Sequence, residues 1–172
     1  MLVFLTACNQ EKVIPKIEFS LSGNQTPSSE IWNSKVEFCE NEKLSAILYA
    51  DHIWIFNTSK MTYLKKMKVD FYGDHQNITT WLTADSGKVD DNSNMIYAIG
   101  NVVATSDSGT VLKTEELMFR RIDRKILSDK FVTITSKDEN IQGFGLESDE
   151  HIKNYKILKP VILTTMKDED KK

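Results

Sequence analysis

Proline and glycine are scarce, with 3 and 7 in 172 residues. That shortage excludes a collagen-like or low-complexity chain. Neither sign of charge prevails. The net charge is −3 and the isoelectric point about 5.7. The basic face that nucleic acid needs is therefore missing, as is a polybasic patch for anionic lipid. No run approaches the roughly 20 apolar residues of a spanning helix. Cysteines number 2, and their settings differ. Cys8 ends a short apolar run, whereas Cys39 closes the strand-like Val36-Glu37-Phe38-Cys39 and reads as half-buried, so no disulfide between them is expected. Chemical signatures are missing too. His52, His75 and His151 lie far apart and read as surface residues, where zinc would need three or four converging ligands. Asp90-Asp91-Asn92-Ser93-Asn94 lacks the glycine and distal glutamate of a calcium loop and reads as a hairpin turn. Gly87-Lys88 has no upstream glycine at P-loop spacing, and no Gly-x-Ser-x-Gly elbow occurs. No cofactor, metal or enzymatic activity is expected, although a hydrolase with a dispersed site stays open as a minor alternative.

What is present is alternation. Residues 95–147 read as short strands joined by turns. Ile96, Ala98, Gly100, Val102 and Ala104 share one face, and Asp107-Ser108-Gly109 turns the chain. Val111, Leu112, Leu117 and Phe119 follow, then a charged turn at 120–125. Val132 and Ile134 alternate with Thr133 and Thr135 before Lys137-Asp138-Glu139-Asn140 turns again. Period-two alternation broken by closely spaced turns is the mark of an all-β fold.

The same reading extends in both directions. Trp32, Ser34, Val36 and Phe38 share a face. Residues 44–57 are apolar on both faces, which implies cover on both or an interface. Residues 60–68 leave room for a helical turn. Met67, Val69 and Phe71 form an inward set, as do Ile78, Thr80, Leu82 and Ala84. Asp85-Ser86-Gly87-Lys88 reads as a turn. At the C-terminal end, Tyr155, Ile157 and Leu158 make a last strand, Pro160 interrupts, and Val161-Ile162-Leu163 adds a short edge. Gly143 and Gly145 lie inside a strand pattern, where glycine marks a bulge or a close backbone approach. Tight packing between layers or room for a lipid chain would each explain them.

Before the strands, Leu5-Thr6-Ala7-Cys8 resembles a bacterial lipobox, which makes Cys8 the expected lipid attachment site. The other reading is an apolar N-terminus with a chance cysteine. The chain thus divides into a lipoprotein signal-like segment at 1–8, a polar tether at 9–29, a β domain at 30–163 and a charged tail at 164–172. Within the tether, Ile17, Phe19 and Leu21 alternate as a first edge strand would.

A weak repeat of about thirty residues runs through the domain. Leu48-Tyr49-Ala50-Asp51, Leu82-Thr83-Ala84-Asp85 and Leu112-Lys113-Thr114-Glu115 each end a strand in a small residue and an acid. Such hairpin units bury a face only by stacking, which leaves two open ends. Phe38, Leu48, Val69, Phe71, Leu82, Ile96, Val102, Val132 and Ile134 are expected to point into one space. An ordinary dry core and a groove for acyl chains need the same residue types, since burial stabilises hydrocarbon by about 0.8 kcal/mol per methylene in either case.

Several of these pieces, taken in order, resemble the LptC family. They are Ala84-Asp85, Gly100-Asn101-Val102, Asp107-Ser108-Gly109-Thr110-Val111-Leu112-Lys113-Thr114, then Leu117, Ile126, Ser128-Asp129 and Val132. The series ends in Ile141-Gln142-Gly143-Phe144-Gly145-Leu146-Glu147. The resemblance covers residues 31–160. It implies a twisted open β-jellyroll of short antiparallel strands, a V-shaped two-sheet stack of the LptA type, with a lipid-binding slot. It implies lipopolysaccharide as ligand, received from the inner-membrane ABC transporter LptB with LptF and LptG and passed to an LptA-like protein. The N-terminal edge would meet LptF and the C-terminal edge LptA. The family commonly carries a membrane-spanning N-terminal helix; here a lipid on Cys8 would hold the protein at the periplasmic face of the inner membrane. The rival expectation is a structural β-repeat lipoprotein with a dry core and no ligand.

Overall fold

The computed structural model describes residues 26–73 and 75–165. Segments of alternating β-branched and aromatic residues become nine strands. They are β1 (Ser29–Glu40), β2 (Lys43–Phe56), β3 (Met61–Tyr72), β4 (Ile78–Asp90), β5 (Met95–Ser106), β6 (Val111–Arg120), β7 (Lys125–Thr135), β8 (Glu139–Asp149) and β9 (Tyr155–Thr165). Each pairs antiparallel with its chain neighbours in one sheet, so β1 and β9 are the two edges. The hairpin turns carry the backbone twist. Asn41 and Glu42 both take left-handed φ, at 48° and 66°, as a two-residue hairpin requires. Turns 57–60, 91–94 and 121–124 each end in a left-handed residue: Lys60, Asn94 and Arg124. They stack at one end of the sheet, with the Asp91 amide donating to Lys60 and the Arg121 amide to Asn94, both at 3.1 Å.

A line of interrupted pairing crosses the whole sheet. Asn33, Asp51, Lys66, Asp85, Gly100-Asn101, Glu115, Asp129-Lys130, Gly145 and Leu158 drop out of the ladder while their neighbours stay paired. Asn33, Lys66, Gly100, Asn101 and Gly145 there have positive φ. This row of interruptions is a crease: from β4 to β8 the register shifts across it, as at a bulge, whereas from β1 to β4 and between β8 and β9 one residue of each strand drops out without a shift. Its depth is shown by one bond: the Tyr155 hydroxyl donates to Glu139 at 2.6 Å. Tyr155 pairs with Ser148 and Glu139 with Thr165, so on a flat ribbon the two would lie about 30 Å apart. The sheet therefore folds back on itself. One layer carries the strand ends at turns 41–42, 73–77, 107–110 and 136–138; the other carries the opposite ends. The layers expected as two sheets are halves of one.

The core lies between the halves. Ala46, Val69, Leu82, Val102, Ala104, Leu112, Val132 and Ile134 from the first layer pack with Ala98, Leu117, Ile126, Leu146 and Ile152 from the second. A smaller cluster of Ala50, Ile53 and Leu64, joined by Val36, Leu48, Ile55 and Val89, continues it toward β1.

The crease corrects several expectations. Asp85-Ser86-Gly87-Lys88 is not a turn but the middle of β4, and residues 61–68 are strand, not a helical turn. The small-residue-plus-acid pairs do not end strands. Ala50-Asp51, Ala84-Asp85 and Thr114-Glu115 sit mid-strand on the crease, small residue buried and acid exposed. Their exposed side is polar: the Asn101 amide donates to Asp85 at 2.6 Å, and Lys66 faces Asp51 at 3.6 Å. Pro160 does not interrupt the last strand; β9 runs through it with a register shift opposite Gln142 and Gly143. Cys39 is exposed and free rather than half-buried. Residues 17–21, Cys8 and the tail from 166 lie outside the described residues.

Candidate functional site

The inner faces of the two layers form an apolar wedge. At its centre it is filled: Leu112, Val132 and Ile134 are 0% exposed. At its β1 side it is open, with Ile31 and Phe38 more than two-fifths exposed. Register places Ile31 opposite Ile53, and Phe38 opposite Ala46, both members of the buried clusters. The wedge thus grades from a sealed interior to an apolar mouth along the β1 edge.

All nine residues predicted to share one space lie on this inner face. Val69, Leu82, Val102, Val132 and Ile134 are buried in the main cluster, and Leu48 and Phe71 pack against it half-exposed. Ile96, half-exposed, pairs with Val89 and Phe119 on the second layer. Phe38 stands at the mouth. Trp32 departs from the reading that grouped it with Ser34, Val36 and Phe38. Asn33, at φ 48°, leaves the ladder and resets the alternation, so Ile31 takes the inner position and Trp32 the outer. There Trp32 and Trp54 flank the His52 ring at 4.6 and 3.8 Å, and His52 meets Glu30 at 2.9 Å. His52 is therefore a packed residue, not a free surface one. This outer cluster, with Phe56 edge-on to Tyr63, explains why residues 44–57 are apolar on both faces.

The two strand glycines answer to β9. A Cβ on Gly143 would meet the Lys159 carbonyl oxygen and, at 2.7 Å, Pro160 Cα and Ile157 Cγ2. Gly145 holds φ +79° with Leu158 against it at 3.0 Å. The close approach is to the neighbouring strand, neither to the facing layer nor to an open space.

Polar contacts bind the rim. Tyr155 and Glu139 join the layers near the C-terminal edge. Burial first, and then the hydrogen bond to Glu139, push the Tyr155 phenol up to about 12. Arg124 donates to Glu150 of the β8–β9 turn at 2.7 Å and to Glu40 at 2.6 Å. These carboxylates, Glu150 first, raise the guanidinium above its usual value. Asp149 shapes the β8–β9 turn. Burial pushes its carboxyl up, but the amides of Lys153, Asn154 and His151 and the Asn154 side chain outweigh it and hold it low. The Asp149 contacts are local, but the two that join the layers are not visible from spacing. Glu40 and Arg124 are 84 residues apart, and only the fold-back brings them together.

Among the described residues, no group of three or more His, Cys, Asp or Glu is placed to hold a metal ion, and no helix is long and apolar enough to cross a membrane. The arrangement offers apolar burial, a charged rim and, among the described residues, two edge strands paired on one side only.

Residues 17–164 match the profile of a family described as lipopolysaccharide-assembly, LptC-related. Among solved structures, the chain is similar to LptH of Pseudomonas aeruginosa, described as the LptA-homologous periplasmic component of a lipopolysaccharide transport device. That match has a TM-score of 0.52 at 10% identity, covering 72% of this chain and 95% of the other, and it shows a shared fold. No curated protein matches.

Proposed function

The chain belongs to the LptC-related lipopolysaccharide-assembly family, and from that premise we propose that it carries lipopolysaccharide within the periplasm, its acyl chains held in the wedge. It receives the lipid from the inner-membrane transporter LptB with LptF and LptG and yields it to an LptA-like protein. The β1 edge faces the transporter and the β9 edge faces the LptA-like partner. An unpaired strand is a template for a neighbour's strand, so each edge supports β-augmentation. A lipid on Cys8 holds the chain at the inner membrane. The observation that carries the reading is the exposed apolar mouth at Ile31 and Phe38, continuous with the buried interior. Sugars and phosphates remain in water while hydrocarbon fills the wedge. Transport is driven by the transporter's nucleotide hydrolysis, and this chain supplies the path rather than the chemistry.

A photo-crosslinking residue at Phe38 or Phe71 is expected to capture lipopolysaccharide in cells, and one at the outward Lys68 or Thr133 is not. Capture only from the outward pair would refute the assignment. Val102 and Ile134, at 1% and 0% exposure, capture lipid only if the layers part. The fully buried centre supports a second reading, a structural β-repeat with a dry core. Native mass spectrometry after gentle extraction separates the two: retained lipid favours carriage, and a bare mass favours the dry core.

A further inference from the structure

The wedge has a mouth, and one side-chain cluster spans its rim. The β1–β2 hairpin ends the described sheet, laddered to the rest only through β2 and β3; β2 is anchored in the core by Ala46, Ala50 and Ile53, whereas β1 and the turn at 41–42 are largely exposed and make up the flap. Among the described residues, Glu40 makes the one ion pair that ties β1 to any element beyond β2. Its partner, Arg124, ends the 121–124 turn in a left-handed conformation at φ 55°. The same guanidinium holds Glu150 of the β8–β9 turn, so a single fork joins three hairpins. The planar donor array of arginine suits two carboxylates at once, which a lysine ammonium would not reproduce. Phe38, exposed at the mouth, lies two residues from Glu40 on the same strand.

We propose that Glu40, Arg124 and Glu150 form a latch across the mouth of the wedge: engaged, it holds the flap against the second layer; released, it admits lipid from the side. The inference rests on the wedge being the lipid path. Strength fits the role. Arg124 and Glu40 are half-exposed, and water screens such pairs to about 1 kcal/mol or less. An interaction of that size shifts an open–closed balance by roughly fivefold without locking it. The rest of the rim on the C-terminal side does not share this freedom. There the facing residues, Tyr155 and Glu139, belong to adjacent, laddered strands.

The test uses purified full chain in a Cys8→Ser, Cys39→Ser background, so that the only thiols are the introduced ones, with Glu40→Cys, Arg124→Cys and a photo-crosslinking residue at Phe71. A short bis-maleimide ties the flap shut; a monofunctional maleimide leaves it free. Both samples are mixed with lipopolysaccharide and irradiated. The expected result is about tenfold less lipid capture in the tied protein than in the monoalkylated one. Equal capture in the two overturns the latch and leaves the lipid path standing. No capture in either overturns both. A second measurement uses charge alone. Glu40→Gln is expected to raise capture about fivefold, and Glu40→Arg with Arg124→Glu to return it toward the native level. If the swap behaves like Glu40→Gln, the pair does not act as a latch.

Discussion

Gly143→Ala should loosen β9 far more than a surface glycine change would. The added methyl has nowhere to go: Pro160 Cα and Ile157 Cγ2 would stand 2.7 Å away, and the Lys159 carbonyl oxygen also blocks it. Two of these atoms are backbone, so no rotamer change relieves the contact. The strand must move outward by about 1 Å, as in other overpacked sites, at a cost of 1–3 kcal/mol. Ladder bonds beside the displaced segment weaken too, each worth about 1 kcal/mol. Set against this, alanine restricts the unfolded chain and returns about 0.4–1 kcal/mol. A net loss of about 2–3 kcal/mol is expected. Gly109→Ala is the internal comparison. Its φ is +87°, yet nothing lies within 4 Å of the added carbon, so left-handed strain of about 1 kcal/mol, less the same unfolded-state return, is all that applies. Urea unfolding of both variants gives the difference in midpoint, and amide hydrogen exchange locates it. Faster exchange should be concentrated in β9. The reasoning fails if Gly143→Ala is no more destabilised than Gly109→Ala, or if β9 keeps its protection.

Two further outcomes follow from burial and titration. The Tyr155 phenol ionises at about 12 in the folded chain against 10.0 unfolded. A raised value means the neutral form stabilises the fold: the contribution is complete below pH 10 and is lost between pH 10 and 12. Two units correspond to about 2.7 kcal/mol undiscounted, and to about 1 kcal/mol after screening at this half-exposed site. Tyr155→Phe should flatten that part of the stability–pH curve, measured by urea midpoints across the range; an unchanged slope would count against the contact. Val132→Ala, at a fully buried position, should cost about 2–3 kcal/mol, whereas Phe38→Ala at the mouth should cost under about 1 kcal/mol. Equal losses in the two urea midpoints would mean that the wedge is not graded.

The strands were legible because alternation and turns agree. Asp107-Ser108-Gly109 and Asp90 through Asn94 mark real ends, and Val132 and Ile134 point inward as their period demands. The crease was hidden. Asn33 and Lys66 take left-handed backbone without glycine to announce it, and each shifts the period by one, which is why alternation alone assigns Trp32 to the wrong face. Ser86-Gly87 has the composition of a turn, but Gly87 lies buried in β4 opposite Leu64 and Ala98. The repeated small-residue-plus-acid pair and the strand glycine at Gly145 are traces of the fold line, and their meaning depends on register. Glu139 with Tyr155 and Glu40 with Arg124 belong to the fold-back itself, so local spacing carried no sign of them.

A single folded sheet has a consequence for growth. Every strand contributes to both walls, so one incoming strand, if it bends where its neighbour bends, prolongs both walls together. A sandwich of two separate sheets would need two incoming strands for the same gain. Here a lone partner strand on β9 would continue a gutter without a joint in its floor.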